Sequence, residues 1–360
     1  MLQETLNSAT RLIRSPWLRP LNDPAAVNDL LAQINPTWSL ESVKARVTEI
    51  RDETPDTKTF VLAPNYRWNG FAAGQHVAVE IEIKGVRHHR TYSLSSAPGQ
   101  RTLAITVKRQ MEGKASNALH DQLSVGDVLT LSAAAGGFVL PEELPEKILM
   151  LSAGSGVTPV MSMLRDLHQR SYVGDVVFVH VCRTSQDIIF GAELHALAGM
   201  MPKLRLHLHF SAENGRLAAD TLPVLVPDYA ERQTFLGGPQ SFMDMVGARW
   251  QADGLGDRLA SESFTGPALH NRAPGDAAEI RALRSEQSFT APGERPLLME
   301  AEDAGLKPKH GCRIGICQSC KCRKVSGTVE NLLTGEISSE PNQMIQLCIS
   351  AARSDLQLDL

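Results

Sequence analysis

Between residues 41 and 142 the apolar positions fall in short runs that alternate with polar ones, at 45–50, 58–62, 76–83, 90–95, 103–109 and 128–132, with clusters of Gly and Pro between them. Alternation with period two marks half-buried strands, and such runs separated by turn residues predict an antiparallel β-barrel. From about residue 146 the pattern changes to apolar strands interleaved with helical periods. Strands are expected at 148–152, 176–182, 204–210, 233–236 and 259–264, with helices at 159–170, from Ala192, and at 241–252. This alternation predicts a parallel α/β sheet over residues 143–264.

Residues 1–40 carry Leu2, Leu6, Ala9, Ile13 and Trp17 at helical spacing, with Arg11 and Arg14 on another face, before a stretch punctuated by Pro. They predict a helical extension and then a connector. Residues 265–278, rich in Gly, Pro and Ala, predict a linker. Residues 279–360 predict an α+β domain with strands at 280–283, 288–290, 328–330, 344–349 and 356–360 and a helix at 296–304.

With 360 residues, 42% apolar and 21% charged, the chain supplies several cores rather than one. A formal charge of -4 gives no basic field for a polyanion, so no nucleic-acid partner is expected. The N-terminus lacks a charged stretch followed by an apolar one, and no run approaches the ~18 apolar residues of a membrane span, so a cytoplasmic protein is expected. The stripe at 2–17, with Arg11, Arg14 and Arg19, supports two readings: docking on the barrel domain, or peripheral contact with the inner membrane or a membrane-bound partner.

Cys182 stands alone, whereas Cys312, Cys317, Cys320, Cys322 and Cys348 crowd the last fifth of the chain. In a reducing compartment such clustering argues for metal ligation over disulfides. Cys312-x4-Cys317-x2-Cys320, followed at a distance by Cys348, is the ligand spacing of a plant-type [2Fe-2S] cluster. A tight loop with Gly311 and Gly315 lets three thiolates converge on the irons while a distant strand supplies the fourth. Structural zinc would call for paired two-cysteine knuckles, and only one half of that pattern is present. Cys322 falls outside the ligand set and reads as a small buried thiol.

On the strings KHGCRIGICQSCKC and QLCIS, residues 279–360 resemble a plant-type ferredoxin domain. The resemblance implies a β-grasp-like fold and a [2Fe-2S] cluster on Cys312, Cys317, Cys320 and Cys348. Lys307, Lys309, Arg313, Lys321, Arg323 and Lys324 surround that loop with no acid between 307 and 324. Such a rim offsets the negative charge of the cluster, and it suits an electron acceptor with an acidic docking face.

Arg90, Thr91, Tyr92 and Ser93 form an R-x-Y-S string on a predicted barrel strand, with Arg90 and Tyr92 on one face and Thr91 and Ser93 on the other. Further on, Gly113, Lys114, Ala115 and Ser116 open a helical stretch, where free backbone N–H groups can receive a phosphate. Together the two strings describe a dinucleotide site, and with the barrel preceding an α/β domain they resemble the ferredoxin-NADP reductase superfamily over residues 41–264. By that resemblance Arg90 pairs with the FAD pyrophosphate and Gly113 to Ser116 hold it. Tyr92 packs on the isoalloxazine, Ser93 hydrogen-bonds near its reactive edge, and Thr91 belongs to the same FAD-binding strand.

The strand at 148–152 runs into Ala153-Gly154-Ser155-Gly156-Val157-Thr158-Pro159, a glycine turn and helix start. Gly154, Ser155, Gly156, Thr158 and Pro159 are therefore candidates for the nicotinamide nucleotide. Pro159 occupies the place of the third glycine in G-x-G-x-x-G, which disfavours an ordinary Rossmann dehydrogenase. Leu236-Gly237-Gly238-Pro239 matches the superfamily's C-G-P element with Gly237 in place of the cysteine. Gly238 and Pro239 are thus expected at the nicotinamide, without thiol assistance. Phe264 falls where related reductases place an aromatic over the flavin; a core phenylalanine is the alternative. Arg183 follows the strand at 176–182 and suits a 2′-phosphate, but Asp187 lies close by, so the nucleotide is written NAD(P)H.

Nicotinamide delivers two electrons at once and a [2Fe-2S] cluster accepts one, so a flavin is needed to divide the pair. The expected enzyme moves hydride from NAD(P)H to FAD at Tyr92, Ser93 and Phe264 and exports single electrons through the cluster. The domain order resembles the reductase components of oxygenases. WSLESVKARV, Glu53-Thr54, CRTSQDIIFGAEL and the long extension resemble the reductase partners of membrane fatty-acyl desaturases. The expected acceptor is a diiron desaturase or hydroxylase, with a soluble ring-hydroxylating oxygenase as the alternative. A redox sensor without turnover is a third reading, which no DNA-binding motif supports. His88, His89, His207 and His209 read as structural, the last two alternating with leucines along a strand.

Overall fold

Val43, Ala45 and Val47 point into a core while Lys44, Arg46 and Thr48 between them face outward, and this alternation makes β1 (Val43–Thr54) the spine of the first sheet. The computed structural model describes residues 24–83, 86–111, 113–263, 277–311, 313, 315 and 318–360. The stripe at 2–17, the segment 265–276, Phe264, Cys312 and Cys317 lie outside these. The chain divides into two compact units. One carries a barrel-type sheet and a parallel sheet and ends at Glu262, and the other runs from Ser263 to Leu360 and takes in residues 89–91.

The first sheet contains β2 (Thr57–Pro64), β3 (His76–Ile83), β4 (Val86–Ser93), β5 (Leu103–Lys108) and β6 (Val128–Leu131), in the order β4-β3-β6-β1-β2-β5. The β1–β2, β1–β6, β2–β5 and β3–β6 pairs are antiparallel. Register shifts after Val47 and Asp52 bend β1 around the core. Helix α2 (Lys114–Gln122) buries Ala115, Ala118 and Leu119 in that core.

The second sheet is built from β7 (Lys147–Ala153), β8 (Asp175–Cys182), β9 (Leu204–Phe210), β10 (Gln233–Gly238) and β11 (Leu259–Ser263), in the order β11-β10-β7-β8-β9. β7 is buried from Ile148 to Ala153, as a parallel strand covered on both faces must be. Ile148, Met150 and Phe178 pack with α3 (Val157–Gln169) and α4 (Gly191–Met200). Leu149, Leu151 and Val179 pack with Phe242, Val246 and Trp250 of α5 (Gln240–Ala252). The middle of α3 is tied to the segment after β4: Ser162 Oγ donates to Ser96 O at 2.7 Å, and Arg165 donates to Ser95 O while gripping Glu193 of α4.

The C-terminal unit has a five-stranded sheet of β12 (Ala278–Ala282), β13 (Gln287–Ala291), β14 (Lys321–Ser326), β17 (Gln343–Gln346) and β19 (Leu356–Leu358), ordered β13-β12-β19-β14-β17. β12 and β19 pair in parallel, and the other pairs are antiparallel. Helix α6 (Leu297–Asp303) buries Leu297, Leu298 and Ala301, and a small sheet joins β15 (Val329–Asn331), β16 (Ile337–Ser338) and β18 (Ser350–Ala352). The fold is therefore multidomain: an antiparallel sheet, a parallel α/β sheet and a C-terminal α+β unit.

Three local expectations are corrected. The stretch read as a connector contains helix α1 (Pro24–Ile34), whose Asn28 side chain accepts the Leu40 N–H at 2.8 Å. The basic string at 321–326, whose pattern predicts no element, is β14, a strand with only Cys322 and Lys324 fully inward. The strand expected at 344–349 ends at Gln346, so Cys348 sits in a turn rather than on a strand.

Candidate functional site

In the parallel sheet β8 and β9 extend to one side of β7 while β10 and β11 extend to the other. Ligands of open α/β sheets bind outside the carboxyl ends of the strands at such a switch point. Both glycine segments lie there, Gly154–Gly156 directly after β7 and Gly237–Pro239 at the end of β10. Gly154 adopts φ +52, and a Cβ added to Gly156 would stand 2.3 Å from Gly237 C and 2.4 Å from Gly238 N. The two turns thus meet backbone to backbone. Thr158 Oγ1 donates to Ser155 O at 3.0 Å and closes the turn, leaving Ser155 exposed above it. Pro159 is the third residue of α3 and is buried, and Pro239 caps α5 from an exposed position.

The missing cysteine at Gly237 has a steric reason. A Cβ there would lie 2.6 Å from Gly156 O, so no thiol fits beside this turn.

Arg183 is exposed just past β8. Asp187 closes a capping box: its carboxylate accepts from Thr184 N at 3.0 Å and from Thr184 Oγ1 at 2.6 Å. Cys182 is buried, and burial pushes its thiol up to about 11.

On the barrel side Arg90, Thr91, Tyr92 and Ser93 all fall on β4. Tyr92 packs against the barrel core, and Arg90 Nη1 donates to His89 O. The Thr91 and Ser93 hydroxyls are buried with no hydrogen-bond partner among the described residues. Buried hydroxyls are rarely left unpaired, and a polar ligand edge is what would complete them. Gly113 caps α2 without a side chain on its N–H groups, and a Cβ there would meet Ser116 Oγ at 2.4 Å. Ser116 Oγ donates to Gly113 O and accepts from Gln110 N, each at 3.1 Å, which shapes the turn, and Lys114 stands exposed beside it. These features fit a dinucleotide such as FAD, which when bound supplies two-electron uptake and one-electron release.

Sequence reasoning missed one pair. His76 Nδ1 and Glu262 Oε1 lie 3.0 Å apart, both residues are buried, and His76 Nε2 and Glu262 Oε2 have no partner among the described residues. Gly136, with φ +115, leaves room for the imidazole, since a Cβ there would come within 2.9 Å of it. Nothing in the period-two pattern of β3 signals a partner 186 residues away.

In the C-terminal unit Cys320 Sγ and Cys348 Sγ lie 3.2 Å apart and both residues are buried. That separation is well beyond the ~2.05 Å of a disulfide. The Gly315 N–H donates to Cys348 Sγ at 3.2 Å, Gln346 Nε2 donates to Gly315 O at 2.6 Å, and Leu347 N donates to Cys320 O at 3.2 Å. Positive φ at Arg313, Gly315 and Gln318 curls the loop around this pair, and a Cβ on Gly315 would stand 2.9 Å from Ile349. An N–H aimed at a cysteine sulfur is a contact that tunes Fe–S clusters, so the donor set fits the group. Among the described residues no three potential metal ligands converge, two of the four expected cysteines lying outside them. Cys322 is buried on β14, where burial pushes its thiol up to about 11, as suits a packing role.

The basic rim needs revision. Arg313 pairs with Glu302, Arg323 with Asp359, and Lys324 is buried with Nζ donating to Gly327 O and Ser338 O. Those three cations are engaged within the protein.

Comparison with known proteins matches residues 44–140 to the oxidoreductase FAD-binding domain, 150–247 to the oxidoreductase NAD-binding domain and 280–353 to the 2Fe-2S iron-sulfur cluster binding domain. An NADPH oxidoreductase of Mycobacterium tuberculosis is 38% identical over 346 residues, covering 94% of this chain and 90% of its own. The glycine betaine monooxygenase reductase subunit of Chromohalobacter salexigens is 32% identical over 355 residues, covering 90% and 96%. The solved structure of phthalate dioxygenase reductase superposes with a TM-score of 0.62 at 25% identity, covering 89% of this chain and 98% of that one. Among the described residues no helix is long and apolar enough to cross a membrane.

Proposed function

Because the chain belongs to the family of FAD- and NAD-binding oxidoreductases that carry a C-terminal [2Fe-2S] domain, we propose that it moves hydride from NAD(P)H to FAD and delivers single electrons through the cluster to an oxygenase-type acceptor. The observation that carries this reading is the presence on one chain of a glycine-lined switch point, a barrel strand with unpartnered buried hydroxyls, and a buried cysteine pair with a backbone N–H aimed at sulfur. Hydride transfer needs alignment more than acid–base chemistry, and the two abutting turns supply a fixed bed for the nucleotide.

In this reading residues 41–142 hold FAD, 143–264 the nucleotide and 279–360 the cluster, with 265–278 as a linker. Arg90, Thr91, Tyr92, Ser93 and Gly113 to Ser116 serve FAD. Gly154, Ser155, Gly156, Thr158, Pro159, Gly238 and Pro239 serve the nucleotide, Phe264 shields the flavin, and Cys312, Cys317, Cys320 and Cys348 ligate iron. With Asp187 held in its capping box and Arg183 exposed, the ribose region favours a 2′-phosphate and hence NADPH. An oxygenase as acceptor is supported by relatives that are reductases of a monooxygenase and of a dioxygenase. A diiron desaturase or hydroxylase is the second reading, resting on WSLESVKARV and CRTSQDIIFGAEL.

Anaerobic titration of the purified protein with NADPH tests the whole. Bleaching of both flavin and cluster bands with about three electrons taken up per chain is expected. Uptake of about two electrons, with the cluster band unchanged, would leave the chain a simple flavin reductase.

A further inference from the structure

In the C-terminal unit a pocket of about 340 Å³ opens beside the cysteine loop, and Cys320 forms part of its wall. Leu306, Pro308 and Leu347 line its apolar side, while Lys307, Lys309 and Lys321 stand around it, all three exposed. The surrounding arginines are spent on internal pairs. Asp359 takes Arg284 at 2.7 Å and Arg323 at 3.1 Å, and Arg313 is held by Glu302. Among the described residues no carboxylate pairs with Lys307, Lys309 or Lys321. Uncompensated positive charge is therefore concentrated at this pocket rather than spread around the loop.

We propose that the pocket receives an aspartate or glutamate side chain of the electron-accepting protein. The inference rests on the reading of the cluster as the exit port for electrons. A carboxylate entering here would face three exposed ammonium groups, with Leu306, Pro308 and Leu347 in the wall and the one side-chain carboxylate of the lining, Asp359, already paired with Arg284 and Arg323. Its carrier would then lie against the wall that contains a cluster ligand, so docking and electron delivery fall at one place. Charge complementarity of this kind raises the encounter rate and selects partners.

The test uses the complete holoenzyme and two haem-protein probes, cytochrome b5 with an acidic face and cytochrome c with a basic one. The variant Lys307→Glu/Lys309→Glu should slow cytochrome b5 reduction on the order of tenfold at low ionic strength, and the difference should fade above about 0.15 M salt. Cytochrome c reduction should hold or rise, with NADPH–ferricyanide activity and the cluster spectrum unchanged. The charge-neutral variant Lys307→Gln/Lys309→Gln should fall between. If the lysines only balance the cluster, both haem proteins will respond alike, which would overturn the proposal, as would no response from either. Cys320→Ser separates the two levels: if it leaves both haem-protein rates intact, the exit-port reading fails. If it abolishes both while charge reversal does nothing, only the pocket assignment fails.

Discussion

The backbone of Gly156 lies so close to that of Gly237 that a methyl group on Gly156 would stand 2.4 Å from the Gly237 carbonyl oxygen. Gly237→Ala, with its Cβ 2.6 Å from Gly156 O, should push the two nucleotide turns apart. The expected result is a KM for NADPH raised on the order of tenfold or more with FAD content unchanged. An unchanged KM would show that the close approach has no part in nucleotide binding.

Arg90→Ala should weaken FAD retention by removing a charge-assisted contact to pyrophosphate, a loss of about 2 kcal/mol or more. Flavin-to-protein ratio after gel filtration reads this directly, and full retention would count against the assignment.

Arg232 is fully buried and holds Asp228 and Asp175 while donating to Ile148 O at 3.2 Å. Hydrogen bonding from Arg232 holds the Asp228 carboxyl down to about 2. The folded pKa lies below the unfolded one, so this stabilisation is present above pH ~4 and is lost as pH falls towards 2. Arg232→Met should cost about 3 kcal/mol at neutral pH and flatten that acid limb, as thermal unfolding across pH would record.

Ser152 Oγ and His180 Nδ1 lie 2.8 Å apart in the parallel sheet, and burial pushes His180 down to about 4. A neutral buried histidine gives stability that is present above its unfolded pKa near 6.5 and is lost as pH falls to about 4, by roughly 3 kcal/mol. Replacing the pair with Ser152→Ala/His180→Phe should remove that sensitivity; a variant with the same acid profile as the parent would refute the assignment.

The parts of the fold legible in the sequence are those with strong period. β7 reads as continuous apolar residues because both faces are covered, and β1 to β3 read as alternation because one face is wet. β14 was invisible because Lys321, Arg323 and Lys324 make it look like a loop, and Lys324 is inward only because its ammonium reaches two carbonyls. Helix α1 hid behind its flanking prolines. The cysteine spacing pointed to the 2Fe-2S domain that residues 280–353 match, because three of the expected ligands lie close together in the sequence. His76 with Glu262, and the neutralisation of Arg313 and Arg323, could not be read, since each depends on residues brought together only by the tertiary fold.

On the proposed function, electrons enter at the flavin and leave through the cysteine cluster. Cys348→Ser removes the sulfur that lies 3.2 Å from Cys320 and accepts the Gly315 N–H. Stopped-flow mixing of this variant with NADPH should show flavin reduction at the parental rate, no cluster signal, and cytochrome c reduction lowered on the order of a hundredfold. Parental cytochrome c reduction by a cluster-free Cys348→Ser protein would mean that electrons leave by another route.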